Sequence, residues 1–190
     1  IEKSGEDTPI IVCRFLSGPA LGAAAIVFRG RTRMSYPSVM ITGLPGSSMH
    51  RFDYAGSDYG AYHRLSDSAR EKIRAHTLTF GKWASELGYK GLFGVDFGEP
   101  YALELNPRLL GTSQLMTELE LHENPGPPTI SWHLAELLGA GVQDDETKPE
   151  LERIGTSSLH GFQLLLRNTR PHRVRIQSAV KPGIYTLPGE

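Results

Sequence analysis

The chain has 190 residues, of which 39% are hydrophobic and 22% are charged, and its formal net charge is −1. These values are typical of one globular domain with a small additional unit, and they exclude a disordered or fibrous protein. The near-neutral charge argues against nucleic acid as a partner, because binding to a phosphate backbone depends on an excess of basic residues.

Two further features bear on the location of the protein. The longest apolar run, residues 20–28, is about half of the roughly 20 residues needed to span a bilayer, so we expect no membrane association. Cys13 is the only cysteine, which favours a reducing cytoplasm, and its apolar neighbours predict a small buried side chain. The chain starts at Ile1 without a methionine or a signal pattern, and we interpret it as a fragment.

The first third of the chain predicts an antiparallel meander. Residues 9–16, 20–28 and 31–41 are rich in apolar and β-branched side chains and are separated by glycine-containing turns. Residues 42–62 are rich in glycine and serine. A loop of this length in a compact domain is usually functional, so we expect it to move over a bound substrate.

The middle of the chain predicts a helix followed by a hairpin. Apolar residues recur at helical spacing between residues 68 and 87, where Ser68 has the spacing of a capping box and Gly88 ends the pattern. Residues 92–97 and 101–105 predict two strands joined by a turn at residues 98–100. A short helix is predicted to begin near Thr112 or Ser113, and another over residues 130–138.

The charged stretch at residues 144–150 has no periodicity and is the best candidate for a domain boundary. It divides an α+β domain at residues 1–140 from a small β-rich annex at residues 141–190. Within the annex, residues 162–166, 173–180 and 184–187 predict short strands.

The predicted hairpin concentrates oxygen-bearing side chains. Glu104 and Asn106 share one face of their strand, while Leu103 and Leu105 take the other. A three-residue turn would pair Asp96 with Ala102 and place the Asp96 carboxylate on the face of Glu104 and Asn106. A turn of even length would instead pair Asp96 with Leu103 and separate the carboxylates.

Carboxylate and amide oxygens are the ligands that Mg²⁺ takes, together with substrate phosphates. Arg108 follows on the same side, where a guanidinium could hold a phosphoryl group. Residues 111–113 lead into a predicted helix whose N-terminal N–H groups suit an anion. The alternation alone also fits an ordinary solvated strand face, so the pattern by itself leaves both interpretations open.

A family resemblance covers residues 9–138. Residues 91–97 (GLFGVDF) and 101–108 (YALELNPR) resemble the metal-binding hairpin of the ATP-grasp superfamily, in which an acidic residue is followed by Glu-x-Asn-Pro-Arg. Residues 11–18 (IVCRFLSG) resemble the strand of that family whose backbone binds adenine. The resemblance implies an α+β lobe with a mainly antiparallel sheet and flanking helices, of the carboxylate-amine ligase-like branch.

The resemblance also implies a role for individual residues. It assigns metal ligation to Asp96, Glu104 and Asn106, and contact with the phosphate or the reaction intermediate to Arg108. The nucleotide would be bound by Cys13, Arg14, Phe15, Leu16 and Leu103, with the backbone of Cys13 and Leu16 holding the adenine.

The activity implied by the resemblance is that of an ATP-dependent ligase. It would use ATP and Mg²⁺, with Mn²⁺ as an alternative ion, to join a small carboxylate to an amine through an acyl phosphate. The family's preceding lobe would lie in the same chain or a partner chain, so we expect the fragment alone to be inactive; a homodimer is left open. Two alternatives are a nucleotide-binding module without turnover and an enzyme that forms a different bond, as carboxylases and acid-thiol ligases do.

Overall fold

The computed structural model describes residues 12–45, 47–99, 101–123, 126–140 and 158–168. These residues form six strands, β1 Ala20–Phe28, β2 Arg31–Thr42, β3 Tyr54–Asp58, β4 Gly91–Gly98, β5 Tyr101–Asn106 and β6 Phe162–Leu164. They also form four helices, α1 Tyr59–Tyr62, α2 Asp67–Glu86, α3 Ser113–Glu123 and α4 Thr129–Leu137. None of the helices in this part of the chain has the length and apolar character of a membrane span.

The strands form one antiparallel sheet in the order β5-β4-β1-β2-β3-β6. β1 and β2 are joined by Arg29 and Gly30, which have φ angles of 48° and 72°. Two consecutive positive φ angles are typical of the hairpin turn whose twist matches that of the strands. The predicted α+β fold with an antiparallel meander and flanking helices is therefore confirmed.

Both faces of the sheet are covered by helices. Odd-numbered residues of β1, such as Ala23 and Ala25, pack in a cluster with Ile73 of α2. Even-numbered residues lie on the other face, where Ala24 joins a cluster with α3 and Ile26 packs with Trp132 of α4. Because β1 is buried on both faces, it needs the continuous apolar run that the sequence shows.

α2 begins slightly earlier than predicted. The Ser66 side chain accepts a hydrogen bond from the Ala69 N–H, so Ser66, and not Ser68, is the N-cap. The prediction was wrong because both serines can cap a helix, and only packing selects between them. Near its other end α2 approaches the sheet closely, since a Cβ at Gly81 would lie 2.9 Å from the Phe93 ring.

Three predictions for the first part of the chain were wrong. Of the strand predicted at residues 9–16, residues 9–11 lie outside the described residues and residues 12–16 form no strand. Cys13, which was predicted to be buried, is exposed. β1 already pairs with β2 on one side and with β4 on the other, so residues 12–16 cannot pair with β1 as a further strand. The predicted long loop is also shorter, because residues 54–62 form β3 and α1 and only residues 43–53 connect β2 to β3.

The annex is tested only at its start. β6 pairs with β3 and extends the main sheet at its edge, in agreement with the strand predicted at residues 162–166. The predicted boundary at residues 144–150 and the strands at residues 173–180 and 184–187 lie outside the described residues. The division of the chain at residue 140 therefore stays a prediction.

Candidate metal and nucleotide site

The hairpin of β4 and β5 brings the predicted carboxylates together, but by a different register from the one predicted. Gly98 pairs with Tyr101 and Phe97 with Ala102, so the turn has two residues and not three. An even turn should place Leu103 opposite Asp96. The register shifts between Asp96 and Phe97, and Glu104 becomes the direct partner of Asp96.

Leu103 is the extra residue of this β-bulge. A bulge inserts one residue into one strand and so restores the face that an even turn would have reversed. As a result the side chains of Asp96 and Glu104 project from the same face, at the roughly 5 Å spacing of directly opposed Cβ atoms. The two-residue turn and the bulge have opposite effects on the face to which the β5 side chains point. The Asp96 and Glu104 carboxylates therefore lie on the same face, as predicted.

Asn106 and Arg108 complete the cluster by hydrogen bonds. The Asn106 Nδ2 atom donates to Asp96 Oδ2 at 3.1 Å, and the Arg108 guanidinium donates to Asn106 Oδ1 at 3.2 Å. Asn106 is 6% exposed, whereas Glu104 and Arg108 are exposed. The structure thus joins these four predicted residues in one cluster that is buried at its base and open to solvent above.

The surroundings of Asp96 disfavour the ionised form of its carboxyl group. Burial raises the pKa of Asp96, and the adjacent Glu104 carboxylate raises it further. The hydrogen bond from Asn106 and the charge of Arg108 act in the opposite direction. Two carboxylates that face each other across one strand pair repel, and a bound cation would relieve that repulsion.

The donor set fits magnesium better than a transition metal. No group of three or more His, Cys, Asp or Glu side chains within the described ranges could hold a metal ion. Two carboxylates and an amide oxygen suit a hard cation that takes few protein ligands and keeps phosphate and water oxygens. These residues therefore fit an ion that arrives together with a nucleotide.

An apolar floor lies next to the carboxylates on the same sheet face. A Cβ at Gly98 would lie 2.8 Å from Leu16 Cδ1 and 3.4 Å from Leu103 Cδ1, so both leucines cover this glycine. Leu103 was predicted on the opposite face, because strict alternation does not allow for a bulge. Gly98 and Asp96 are two residues apart, or about 7 Å along the strand.

The remaining predicted nucleotide contacts lie at the edge of this floor. Cys13, Arg14 and Phe15 are exposed and have no regular structure. They precede β1 and belong to none of the described strands. The structure therefore places the segment beside the floor through Leu16 and does not test its role.

The sequence analysis missed two residues that shape the site. A Cβ at Gly22 would lie 3.0 Å from Met40 Cε and 3.9 Å from Asp96 Oδ1, so this glycine leaves space beside the carboxylate. Gly98 likewise leaves space for the side chains of Leu16 and Leu103. A glycine inside an apolar strand is the signal that could have indicated both close approaches.

No protein-family model matches the chain, and no curated protein matches its sequence. Solved structures do match. Pyruvate carboxylase of Rhizobium etli aligns with a TM-score of 0.52 and 18% identity, over 81% of this chain and 14% of that protein. L-amino acid ligase of Bacillus licheniformis aligns with a TM-score of 0.50 and 15% identity, over 72% of this chain and 33% of that protein.

The matched structures are members of the ATP-grasp superfamily. This chain has the ATP-grasp fold. The fold-level resemblance inferred from the hairpin motif is thereby confirmed, whereas the branch within the ATP-grasp superfamily stays a prediction. The chain spans a third or less of the length of these two proteins, so their complete activities are not carried over with the fold.

Proposed function

We propose that this chain is the nucleotide- and magnesium-binding part of an ATP-dependent ligase that joins a carboxylate to an amine. The observation that carries the proposal is the pairing of Asp96 with Glu104 beside the Leu16 and Leu103 floor on one sheet face. An apolar surface accepts a nucleotide base, and the neighbouring oxygens accept the ion that accompanies its phosphates. The order of these groups along β4 follows the order of base and phosphates in ATP.

The residues of the cluster would hold Mg²⁺ through Asp96, Glu104 and Asn106. When bound, the ion neutralises charge on the nucleotide phosphates during phosphoryl transfer. Asn106 now directs Nδ2 toward Asp96 and Oδ1 toward Arg108. If the amide turns, Oδ1 faces the carboxylates and Arg108 loses its hydrogen bond to Asn106 but keeps the one to the Leu109 carbonyl oxygen, so that one side of the guanidinium could hold a phosphoryl oxygen.

The proposed reaction has two balanced steps. A carboxylate oxygen of the acid substrate attacks the terminal phosphorus of ATP, the bond to the bridging oxygen breaks, and ADP leaves with that oxygen. The amine nitrogen then attacks the acyl carbon, phosphate leaves, and the nitrogen loses a proton. Arg108 would stabilise negative charge on the phosphoryl group in both steps, because a guanidinium binds such oxygens in a planar, bidentate manner.

The test uses the full-length protein that carries this sequence. ATP titrated by calorimetry should bind more tightly with Mg²⁺ than with EDTA. In an ADP-release assay with a panel of carboxylic acids, hydroxylamine in place of the amine should give a hydroxamate, because it traps an acyl phosphate. Release of ADP with an acid but without hydroxamate would contradict the proposed intermediate.

The same assay separates the alternatives. Binding of ATP without ADP release from any acid would support a nucleotide-binding module without turnover. Release that depends on bicarbonate alone would favour a carboxylase, the class of the Rhizobium etli protein that shares the fold. Failure to bind ATP in the presence of Mg²⁺ would refute the proposal itself.

A further inference from the structure

Two exposed phenylalanines and an arginine form a cluster at one end of the sheet. The Phe15 and Phe52 ring centroids are 6.3 Å apart, and the Arg51 guanidinium carbon lies 5.6 Å from each centroid. Phe15 is 61% exposed and Phe52 is 68% exposed. Large apolar side chains in an exposed group often mark a binding surface.

The cluster lies beside the leucine floor of the proposed nucleotide site. Phe15 directly precedes Leu16, which covers Gly98 together with Leu103. In this antiparallel sheet the loop at residues 43–53 emerges at the same end as the start of β1 and the turn between β4 and β5. Arg51 is therefore near the base end of the site, and the carboxylates lie farther along β4.

The loop that carries Arg51 is closed by its own hydrogen bonds. The Gly43 N–H donates to the Asp53 carbonyl oxygen at 2.9 Å, and the Asp53 carboxylate accepts from the N–H groups of Met49 and His50, each at 3.0 Å. The hydrogen bond from His50 holds the pKa of Asp53 below its usual range. These contacts fix the loop independently of the two aromatic rings.

Gly43 fixes the backbone of Arg51 more directly. Its φ angle is 60°, and a Cβ at this position would collide with the Arg51 carbonyl oxygen. The Arg51 backbone thus packs against Gly43 at the start of the loop, while the Arg51 side chain contacts Phe15. A guanidinium that stacks on rings keeps its N–H groups available in its own plane.

We propose that Arg51, whose guanidinium lies within cation–π distance of Phe15 and Phe52, forms the outer wall of the nucleotide site and contacts the base and ribose, not the phosphates. The inference rests on the proposed function. It follows from the position of the cluster, since Arg51 contacts Phe15, which directly precedes Leu16 of the floor, whereas Asp96 and Glu104 lie farther along the hairpin. The wall would hold the outer part of adenosine, while the floor supports the face of the base.

The test compares two ligands in the full-length protein, adenosine and ADP with Mg²⁺, each titrated by calorimetry. Arg51→Ala and Phe52→Leu should weaken both ligands by the same factor, about tenfold, in the range of a partly desolvated cation–π contact. Arg51→Lys should not restore the affinity, because an ammonium lacks the planar stack. Met49→Ala, on the same loop and 71% exposed, is the matched control and should leave both affinities unchanged.

The outcomes distinguish this inference from the function on which it rests. A loss that affects ADP but not adenosine would make Arg51 a phosphate contact and overturn the proposed wall. Unchanged affinities in Arg51→Ala, with normal binding by the unaltered protein, would overturn the wall alone. If the unaltered protein binds neither ligand, the nucleotide site itself is refuted.

Discussion

Two polar clusters in the described part of the molecule are built around buried or half-buried carboxylates, and they differ in the groups that surround the carboxylates. Glu120 of α3 is 3% exposed and accepts hydrogen bonds from the Thr129 N–H, at 2.9 Å, and from the Thr129 hydroxyl. Asp96 receives one side-chain hydrogen bond and faces a second carboxylate, Glu104. The Glu120 carboxylate accepts two hydrogen bonds from one residue, whereas the Asp96 and Glu104 carboxylates share the single nearby charge of Arg108.

The Glu120 cluster has a structural role. α4 starts after Pro128, which provides no side-chain cap, so the Thr129 N–H would otherwise have no partner at the helix start. Glu120 supplies the missing acceptor from α3, and Ser35 Oγ lies 3.1 Å from the Thr129 hydroxyl. The Glu120 carboxylate therefore connects α3 with the start of α4, whereas the open pair of carboxylates, Asp96 and Glu104, is where we propose that a metal ion binds.

The largest expected effect comes from removing one charge of the open pair. Glu104→Gln should lower magnesium-dependent ADP release by more than about 100-fold, beyond the roughly 10–100-fold typical of outer-shell partners of a metal. The free energy of unfolding should change by less than about 1 kcal/mol, because Glu104 is exposed. Steady-state kinetics and urea unfolding measure the two quantities.

Glu123→Gln is the matched control, since this exposed residue at the end of α3 loses the same charge outside the site. It should leave both quantities unchanged. Normal magnesium-dependent turnover in Glu104→Gln would contradict the proposal that the Asp96 and Glu104 pair binds the metal ion.

The next effect concerns stability alone. Glu120→Ala should lower the free energy of unfolding by about 2–4 kcal/mol, because it leaves the Thr129 N–H without an acceptor in a buried position. Urea unfolding measures the loss, and nucleotide affinity measured well below the unfolding midpoint should be retained. A decrease in the free energy of unfolding of less than about 0.5 kcal/mol, as is typical of an exposed residue, would show that the cluster does not hold α4 in place.

The smallest effect is a dependence of stability on pH. Burial raises the pKa of Glu120 above its ordinary value of 4.5, although the hydrogen bonds from Thr129 favour the carboxylate. The protonated form is thus favoured by folding, so this contribution is full below pH 4.5 and is lost as the pH rises through the folded-state pKa. The stability of the unaltered protein relative to Glu120→Gln should therefore fall as the pH rises above 4.5 and level off above the folded-state pKa, with a slope of at most about 1.4 kcal/mol per pH unit.

Unfolding titrations of both proteins across this range measure the difference. Parallel stability curves would show that Glu120 titrates alike in the folded and unfolded states. A relative stability that rises with pH would mean that Thr129 stabilises the carboxylate more than burial destabilises it.

Much of the site could be predicted from the sequence because its parts are close along the chain. Asp96, Glu104, Asn106 and Arg108 fall within 13 residues on one hairpin, and strand alternation fixes which side chains share a face. Glu120 could not be distinguished from an exposed helical glutamate in the same way. Its partner Thr129 lies on another helix, and only the packing of α3 against α4 brings the two together.

The sequence by itself therefore determined the chemistry of the hairpin, the order of most strands and helices, and the apolar run that needs two covered faces. Tertiary structure decided the bulge at Leu103, the exposure of Cys13 and the stacking of Arg51 on Phe15. The physical reason is that local patterns specify periodicity, whereas register, burial and contact between distant segments depend on which neighbours are available in space.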